Sequence, residues 1–242
     1  MAHSRARSPE GDRAASDLGV WYVPRMNPGG KQAVSGPSDN RVAVLGAGGH
    51  AKVVVATLLA CGYEISGVYD DDPGKRGVTL LGARVEGPIE NALAVAGAGA
   101  VLAVGDNAAR SALANRLPSL RWVTAVHPAA VVHPSVRIGE GTVVFAGAVI
   151  QPETVLGSHV IVNTGARVDH DCKVADFVHI APGVSVAGGV TIGKGAFLGI
   201  GSCLIPGIAI GPWAIVGAGA AVIADVPPRG TVVGVPARPR TA

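Results

Sequence analysis

Aromatic and charged side chains are both scarce in this chain. Phe, Trp and Tyr make up 4% of its 242 residues, and Asp, Glu, Lys and Arg 15%. A core of bulky rings is therefore excluded, as is a surface held by dense ion-pair networks. The formal net charge is only +3, with no basic block outside the Arg-containing ends. That argues against a nucleic-acid partner, because phosphate neutralisation needs a concentrated cationic face. The three cysteines, Cys61, Cys172 and Cys203, form neither a CxxC pair nor an even framework. No metal is expected, and a reducing, cytoplasmic setting fits. No apolar run of about 18 residues is free of glycine and polar breaks, so no membrane span is expected. The basic N-terminus is followed by no apolar stretch and does not read as a signal peptide.

What the chain has in quantity is glycine, at 35 residues, and small or aliphatic side chains, with 48% of residues hydrophobic. Residues 1–40 mix Arg, Ser, Asp, Pro and Gly without periodicity and read as a disordered extension. From Arg41 the run RVAVLGAGGHAKVVVATLLACGYEISGVYDDD reads as strand, glycine turn, helix and strand. VLAVGDN then supplies a strand and a Gly-Asp-Asn turn, AARSALANRL a helix, and RWVTAVHP a further strand. The alternation predicts a small α/β domain over 41–128, about half of a doubly wound dinucleotide fold.

At residue 129 the pattern changes. Written in sixes from Val131, the chain runs VVHPSV, RIGEGT, VVFAGA, VIQPET, VLGSHV, IVNTGA, RVDHDC, KVADFV, HIAPGV, SVAGGV, TIGKGA, FLGIGS, CLIPGI, AIGPWA, IVGAGA, AVIADV. The second place is Val, Ile or Leu in every block, from Val132 to Val222. A period of six does not suit a helix, whose apolar places recur near 3.6. It suits a short strand and a turn with one aliphatic side chain inward per side, three sides closing a coil of about 18 residues. Residues at the turns must tolerate positive φ, which Gly, Asn, Asp and His do. A parallel β-helix is predicted over 129–242.

Charge on the repeats gathers at Asp169-His170-Asp171-Cys172-Lys173. His170 comes two places after the inward Val168, at a corner facing outward, where a carboxylate can orient the imidazole and raise its proton affinity. His133 and His159 read as solvated turn residues. In coils of about 18, Asn163, His179, Ile200 and the Gly217-Ala218 pair stack along one side of the prism. Such a ladder suits a long, thin ligand shaped like the pantetheine arm of coenzyme A. A second candidate site is Gly46-Ala47-Gly48-Gly49-His50-Ala51, between a strand and a helix, where backbone N–H groups can cradle a diphosphate. Asp70 follows about 20 residues on, as in a dinucleotide fingerprint, but the half-domain is too short for a hydride-transfer enzyme.

Together GAGGHAKVV, VYDDD, AVGDN, VNTGARVDHDCKV, HIAPGVSVAGGV, FLGIGSCLIPG and GVPAR resemble the hexapeptide-repeat sugar acetyltransferases typified by the bacillosamine-pathway enzyme. That group contains UDP-4-amino-sugar N-acetyltransferases, with sialic acid O-acetyltransferases as relatives. The resemblance covers about residues 41–240 and implies a left-handed β-helix, a homotrimer, acetyl-CoA as co-substrate and direct transfer without a metal. It implies a UDP-sugar on the N-terminal domain, with Gly48, Gly49 and His50 at the diphosphate and sugar, Asp70 and Asp71 at the uridine, and Gly105 beside it. His170 matches the catalytic base and Asp171 its acidic neighbour. Asn163 falls near the acceptor sugar, while His179, Ile200, Gly217 and Ala218 match acetyl-CoA contacts. The expected function is N-acetylation of a UDP-linked amino sugar. O-acetylation of a sialic-acid-like hydroxyl would use the same base, and a non-catalytic nucleotide-sugar scaffold would lack acetyl-CoA binding.

Overall fold

In the computed structural model the described residues are 25–26, 32–33, 40–95 and 99–240. Most of the stretch read as a disordered extension lies outside them. What is described there is Asn40 and an antiparallel pair, β1 (Arg25–Met26) with β2 (Gln32–Ala33).

The N-terminal domain is a five-stranded sheet with helices on both sides. Strand β3 (Arg41–Leu45) leads through the glycine turn into helix α1 (Gly49–Ala60) and then β4 (Glu64–Tyr69). A hairpin of β5 (Thr79–Leu80) and β6 (Ala83–Gly87) follows, then β7 (Ala100–Leu102) and helix α2 (Asn107–Arg116). The order is β5-β6-β4-β3-β7, parallel except between β5 and β6. Gly46 makes the turn after β3. Its φ is +110, and a Cβ there would stand 2.9 Å from Val104 Cγ2, so no other residue fits.

The remainder is a left-handed parallel β-helix of two-residue rungs on three faces. The first face starts at Ala125–Val126 and pairs rungs eighteen residues apart, Val143 with Ile161, Ile161 with His179, His179 with Phe197 and Phe197 with Ile215. The second carries Val149, Arg167, Ser185 and Cys203, and the third Val155, Lys173 and Thr191. The segment RWVTAVHP, expected as one more strand of the α/β sheet, divides. Trp122 bridges to Ala100, while Ala125–Val126 opens the β-helix.

The predicted aliphatic column is the interior. Ile138, Val144, Leu156, Val162, Val168, Ile180, Ile192, Leu198 and Val216 are all wholly buried. Each such side chain contributes about 1.5–3 kcal/mol on leaving water, so stacking this column holds the coils without help from charge. Every sixth residue from Gly141 to Gly219 has positive φ. Glu153, Phe177 and Trp213 occupy such corners alongside the expected Gly, Asp and His.

The two domains share a core. Ala51, Val54, Val55 and Leu58 of α1 pack on Val143, Phe145 and Ile161 of the first face. Leu117, just past α2, and Phe177 of the adjoining corner share another cluster. The α/β domain thus covers the first face over its early coils and leaves the second face bare, with Val131, Ile205 and Ile223 exposed there.

Candidate active site

His170 stands in the turn between the second and third faces, after the rung Arg167–Val168. Its Nδ1 lies 2.7 Å from Asp171 Oδ2. A carboxylate oxygen only accepts, so Nδ1 carries the hydrogen and, in the neutral ring, Nε2 keeps its lone pair. Asp169 Oδ1 accepts from the His170 N–H at 2.8 Å and stiffens the turn. The Asp171 hydrogen bond and, next, the Asp169 charge push the His170 pKa above its ordinary 6.5. The side chain is 59% exposed, open to a reactant arriving from solvent. The ring rests over Gly188 of the next coil, where a Cβ would stand 2.6 Å from Cε1 and 2.7 Å from Nε2. A glycine is required there for contact rather than for φ.

A second polar cluster sits where α1 and the β7–α2 turn meet the first face. His179 Nδ1 lies 3.2 Å from the Gly105 carbonyl, and Asn163 Nδ2 lies 3.1 Å from His179 Nε2. The carbonyl only accepts, so Nδ1 carries the proton and Nε2 accepts from Asn163. The Thr164 N–H, donating to Asn163 Oδ1 at 2.8 Å, fixes the amide in that sense. The His50 ring lies 5.9 Å from that of His179 and 5.5 Å from that of Phe145, and its buried Nε2 has no hydrogen-bond partner among the described residues. Burial, with the Arg110 charge behind it, lowers the His50 pKa to about 4. His179 is also lowered to about 4, mainly by burial.

The structure therefore brings His50, Gly105, Asn163 and His179 together, although the sequence resemblance divided them between sugar and acetyl-CoA. The cause is the rung geometry. The first residue of a block points outward from its face, and the α/β domain covers the first face at the level of His179. Further along that edge the covering ends. Ile200 is 57% and Ile215 45% exposed, and Ala218 is exposed beside half-buried Gly217, leaving an open strip of small and aliphatic groups.

Helix α1 begins at the glycine loop with no side-chain cap and no acidic residue in its first turn. Such an N-terminus favours an anion. A Cβ at Gly48 or Gly49 would meet nothing within 4 Å, so the loop is open to a ligand. Asp70 and Asp71 are engaged within the chain. Asp70 accepts from the Ala47 N–H at 2.7 Å, the Asp72 N–H at 2.9 Å and Lys75 Nζ at 3.0 Å. Burial pushes its pKa up, but these bonds outweigh it and the net shift is downward. Asp71 accepts from the Ile89 N–H and from Arg116, each at 2.9 Å, and is lowered chiefly by the former. Both carboxylates shape the loops around the glycine turn.

His133 is the exposed turn residue expected, bonded to Ser135. His159 is not a solvated turn residue. It is buried, stacked on Phe177 at 5.1 Å and edge-on to Trp122 at 4.9 Å, because the α/β domain packs on this corner. Sequence reasoning missed Asn107 and Arg110, which bond this corner from α2. The available signal was His159, Phe177 and Trp213 on one corner, where glycine is the usual occupant. Bulky side chains at strained positions mark a covered corner. Among the described residues no group of three or more His, Cys, Asp or Glu can hold a metal ion, and no helix is long and apolar enough to cross a membrane.

Residues 41–117 match the profile of the PglD N-terminal domain. The whole fold is similar to a crystal structure of perosamine N-acetyltransferase from Caulobacter crescentus, a histidine-to-asparagine variant holding CoA and GDP-perosamine. The match has 40% identity and a TM-score of 0.79 over 87% of this chain and 99% of that one. The acetyltransferase domain of PglB from Neisseria gonorrhoeae, solved with acetyl coenzyme A, matches at 36% identity and TM-score 0.79 over 84% and 100% of the two chains. WeeI from Acinetobacter baumannii matches at 28% identity and TM-score 0.73, over 82% and 99%. Among curated proteins, an uncharacterized protein of Acanthamoeba polyphaga mimivirus is 36% identical over 95 residues, or 39% of this chain; the match spans 19% of that protein's length. With near-complete coverage of relatives at 36–41% identity, the hexapeptide β-helix and the matching N-terminal domain, the chain belongs to the family of acetyl-CoA-dependent sugar N-acetyltransferases.

Proposed function

We propose that the chain transfers acetyl from acetyl-CoA to the amino group of a sugar carried on a nucleoside diphosphate, with His170 as general base. The observation that carries this reading is the exposed His170–Asp171 pair, whose hydrogen bond leaves Nε2 free to accept a proton. The neutral amine attacks the thioester carbonyl, and backbone N–H groups stabilise the tetrahedral oxyanion. His170 Nε2 takes the proton lost from nitrogen and returns it to the departing sulfur. An amine and a thioester thus become an amide and a free thiol. General-base assistance of this kind is worth about 100- to 10,000-fold.

The glycine loop and the N-terminus of α1 take the diphosphate, with the buried His50 ring forming the wall behind them against His179 and Phe145. Asp70 and Asp71 hold the loops that receive the nucleoside. The sequence resemblance implies UDP as carrier, whereas the Caulobacter relative was solved with GDP-perosamine. The strip at Ile200, Gly217 and Ala218 takes the pantetheine arm. Within one chain, the His179 cluster and His170 stand at opposite edges of the second face. A homotrimer resolves this separation by bringing His170 of one copy to the nucleotide loop of the next. It would also cover the exposed Val131, Ile205 and Ile223. Unpaired cysteines and dependence on acetyl-CoA suit a cytoplasmic enzyme.

The test is a panel of UDP- and GDP-linked 4-amino sugars with acetyl-CoA, following thiol release and product mass. A gain of one acetyl on an amino sugar is expected. Thiol release only with hydroxyl acceptors would replace the reading by O-acetylation, and no release with any acceptor would remove it.

A further inference from the structure

Arg110 is the largest wholly buried side chain described, at 1% exposure, yet no carboxylate lies within ion-pair distance of it among the described residues. A buried cation without a counter-ion persists only if every donor is satisfied. All five N–H groups are. Nε donates to the His159 carbonyl at 3.0 Å, and one Nη to the Val104 and Gly105 carbonyls at 3.0 and 3.3 Å. The other Nη donates to Asn107 Oδ1 and the Phe177 carbonyl, each at 2.8 Å. Two acceptors belong to the β7–α2 turn, one to the first residue of α2, and two to corners of the β-helix. Asn107, held by the same guanidinium, reaches the Gly195 and Ala196 carbonyls of the next coil at 3.1 and 3.0 Å.

The Gly105 carbonyl is shared. It accepts from Arg110 and also from His179 Nδ1, whose Nε2 is bonded to Asn163. Gly105 also backs the nucleotide loop, since a Cβ on it would lie 3.9 Å from His50 Cγ. The guanidinium therefore fixes both the wall behind His50 and the orientation of His179. A three-donor ammonium cannot reproduce that five-way fork.

We infer that Arg110 is a positioning residue for the acceptor, locking the Val104–Gly105 turn, and through it His50 and His179, in register with the β-helix. This rests on the proposed nucleotide-sugar reading. Arg110 touches no reactant; it acts through Gly105. Its charge also helps to keep His50, His159 and His179 neutral, the state in which His179 holds both its bonds.

The test compares the full-length protein with Arg110→Lys, Arg110→Met and, as a packing control on the same seam, His159→Phe. Calorimetry gives Kd for CoA, UDP and GDP; thiol release gives KM and kcat for the amino-sugar acceptor. Misplacement by about 1 Å costs about 100-fold. That loss is therefore expected in kcat/KM for the acceptor in Arg110→Lys, with KM raised and nucleotide affinity weakened. CoA affinity should stay within about twofold, and His159→Phe within about twofold throughout. Acceptor kinetics and nucleotide affinity unchanged in Arg110→Lys would overturn the proposal. So would a proportional fall in CoA and nucleotide binding capacity, the mark of a lost folded fraction. Should Arg110→Met prove insoluble, Arg110→Lys decides alone. A parent protein that binds nucleotide but acetylates no amino sugar would sink the functional reading, while nucleotide affinity still reads Arg110. A parent that binds no nucleotide would remove both.

Discussion

Acidification should loosen the seam between the two domains before it protonates the carboxylates. His50, His159 and His179 are buried there, and each is lowered from 6.5 to about 4, first by burial. The charges facing them are Arg110 from α2, Asp106 at that helix's N-cap and Lys194 over the Phe177 ring. Between about pH 4 and 6.5 the unfolded chain binds more protons than the folded one. Stability therefore rises with pH across that window and is lost as pH falls from 6.5 towards 4. At pH 5 each histidine accounts for about 2 kcal/mol, and the three for about 6, against a typical total of about 5–15. His170 has the opposite sign, being raised, but it is exposed and solvent-screened. Asp70 and Asp71 are lowered from 3.8, so their contribution is lost only below the histidine window. Urea titrations at pH 7 and 5, followed by tryptophan fluorescence, should show the midpoint falling steeply. Trp122, edge-on to His159, makes fluorescence a local probe. His159→Phe should remove about a third of the pH-dependent loss. Stability unchanged within about 1 kcal/mol between the two pH values, or raised by acid, would refute the reasoning.

Other consequences concern the base corner and the coil. Because the base must be unprotonated, kcat/KM should rise with pH through a value above 6.5. Asp171→Asn removes the leading cause of that shift, so the acid limb should move down towards 6.5 and turnover drop about 10-fold or more; an unmoved limb would separate Asp171 from the base. Gly188→Ala drives a Cβ into the His170 ring. Turnover should fall about 10- to 100-fold with CoA affinity retained, a split readable by calorimetry beside kinetics. Leu156→Ala empties one wholly buried rung and should cost about 2–5 kcal/mol in urea unfolding.

The β-helix was legible because its geometry repeats. One inward aliphatic every six residues is a constraint that sequence displays directly, and every sixth residue from Val132 to Val222 lies inside. The outward corner position of His170 was legible for the same reason, since its distance from Val168 fixes its direction. The hairpin of β5 and β6 was not, because two short strands across Leu81-Gly82 carry too little pattern. Contacts between domains were the larger gap. His159 looked like a turn residue because nothing local says that a helix covers it. Arg110 sits in AARSALANRL among alanines, with no period that marks it as inward. Its two acceptors on the β-helix lie 49 and 67 residues away. The bonds that Asp70 and Asp71 make within the chain were hidden for a similar reason, since spacing places a carboxylate near a loop but does not reveal which N–H groups it meets.

The most direct test is His170→Ala, assayed with saturating acetyl-CoA and the best nucleotide-linked amino sugar. CoA affinity would be measured on the same preparation. The expected result is intact CoA binding with turnover reduced about 100- to 10,000-fold and the acid limb abolished. Turnover within a few-fold of the parent, with the same pH profile, would contradict the assignment of His170 as the base.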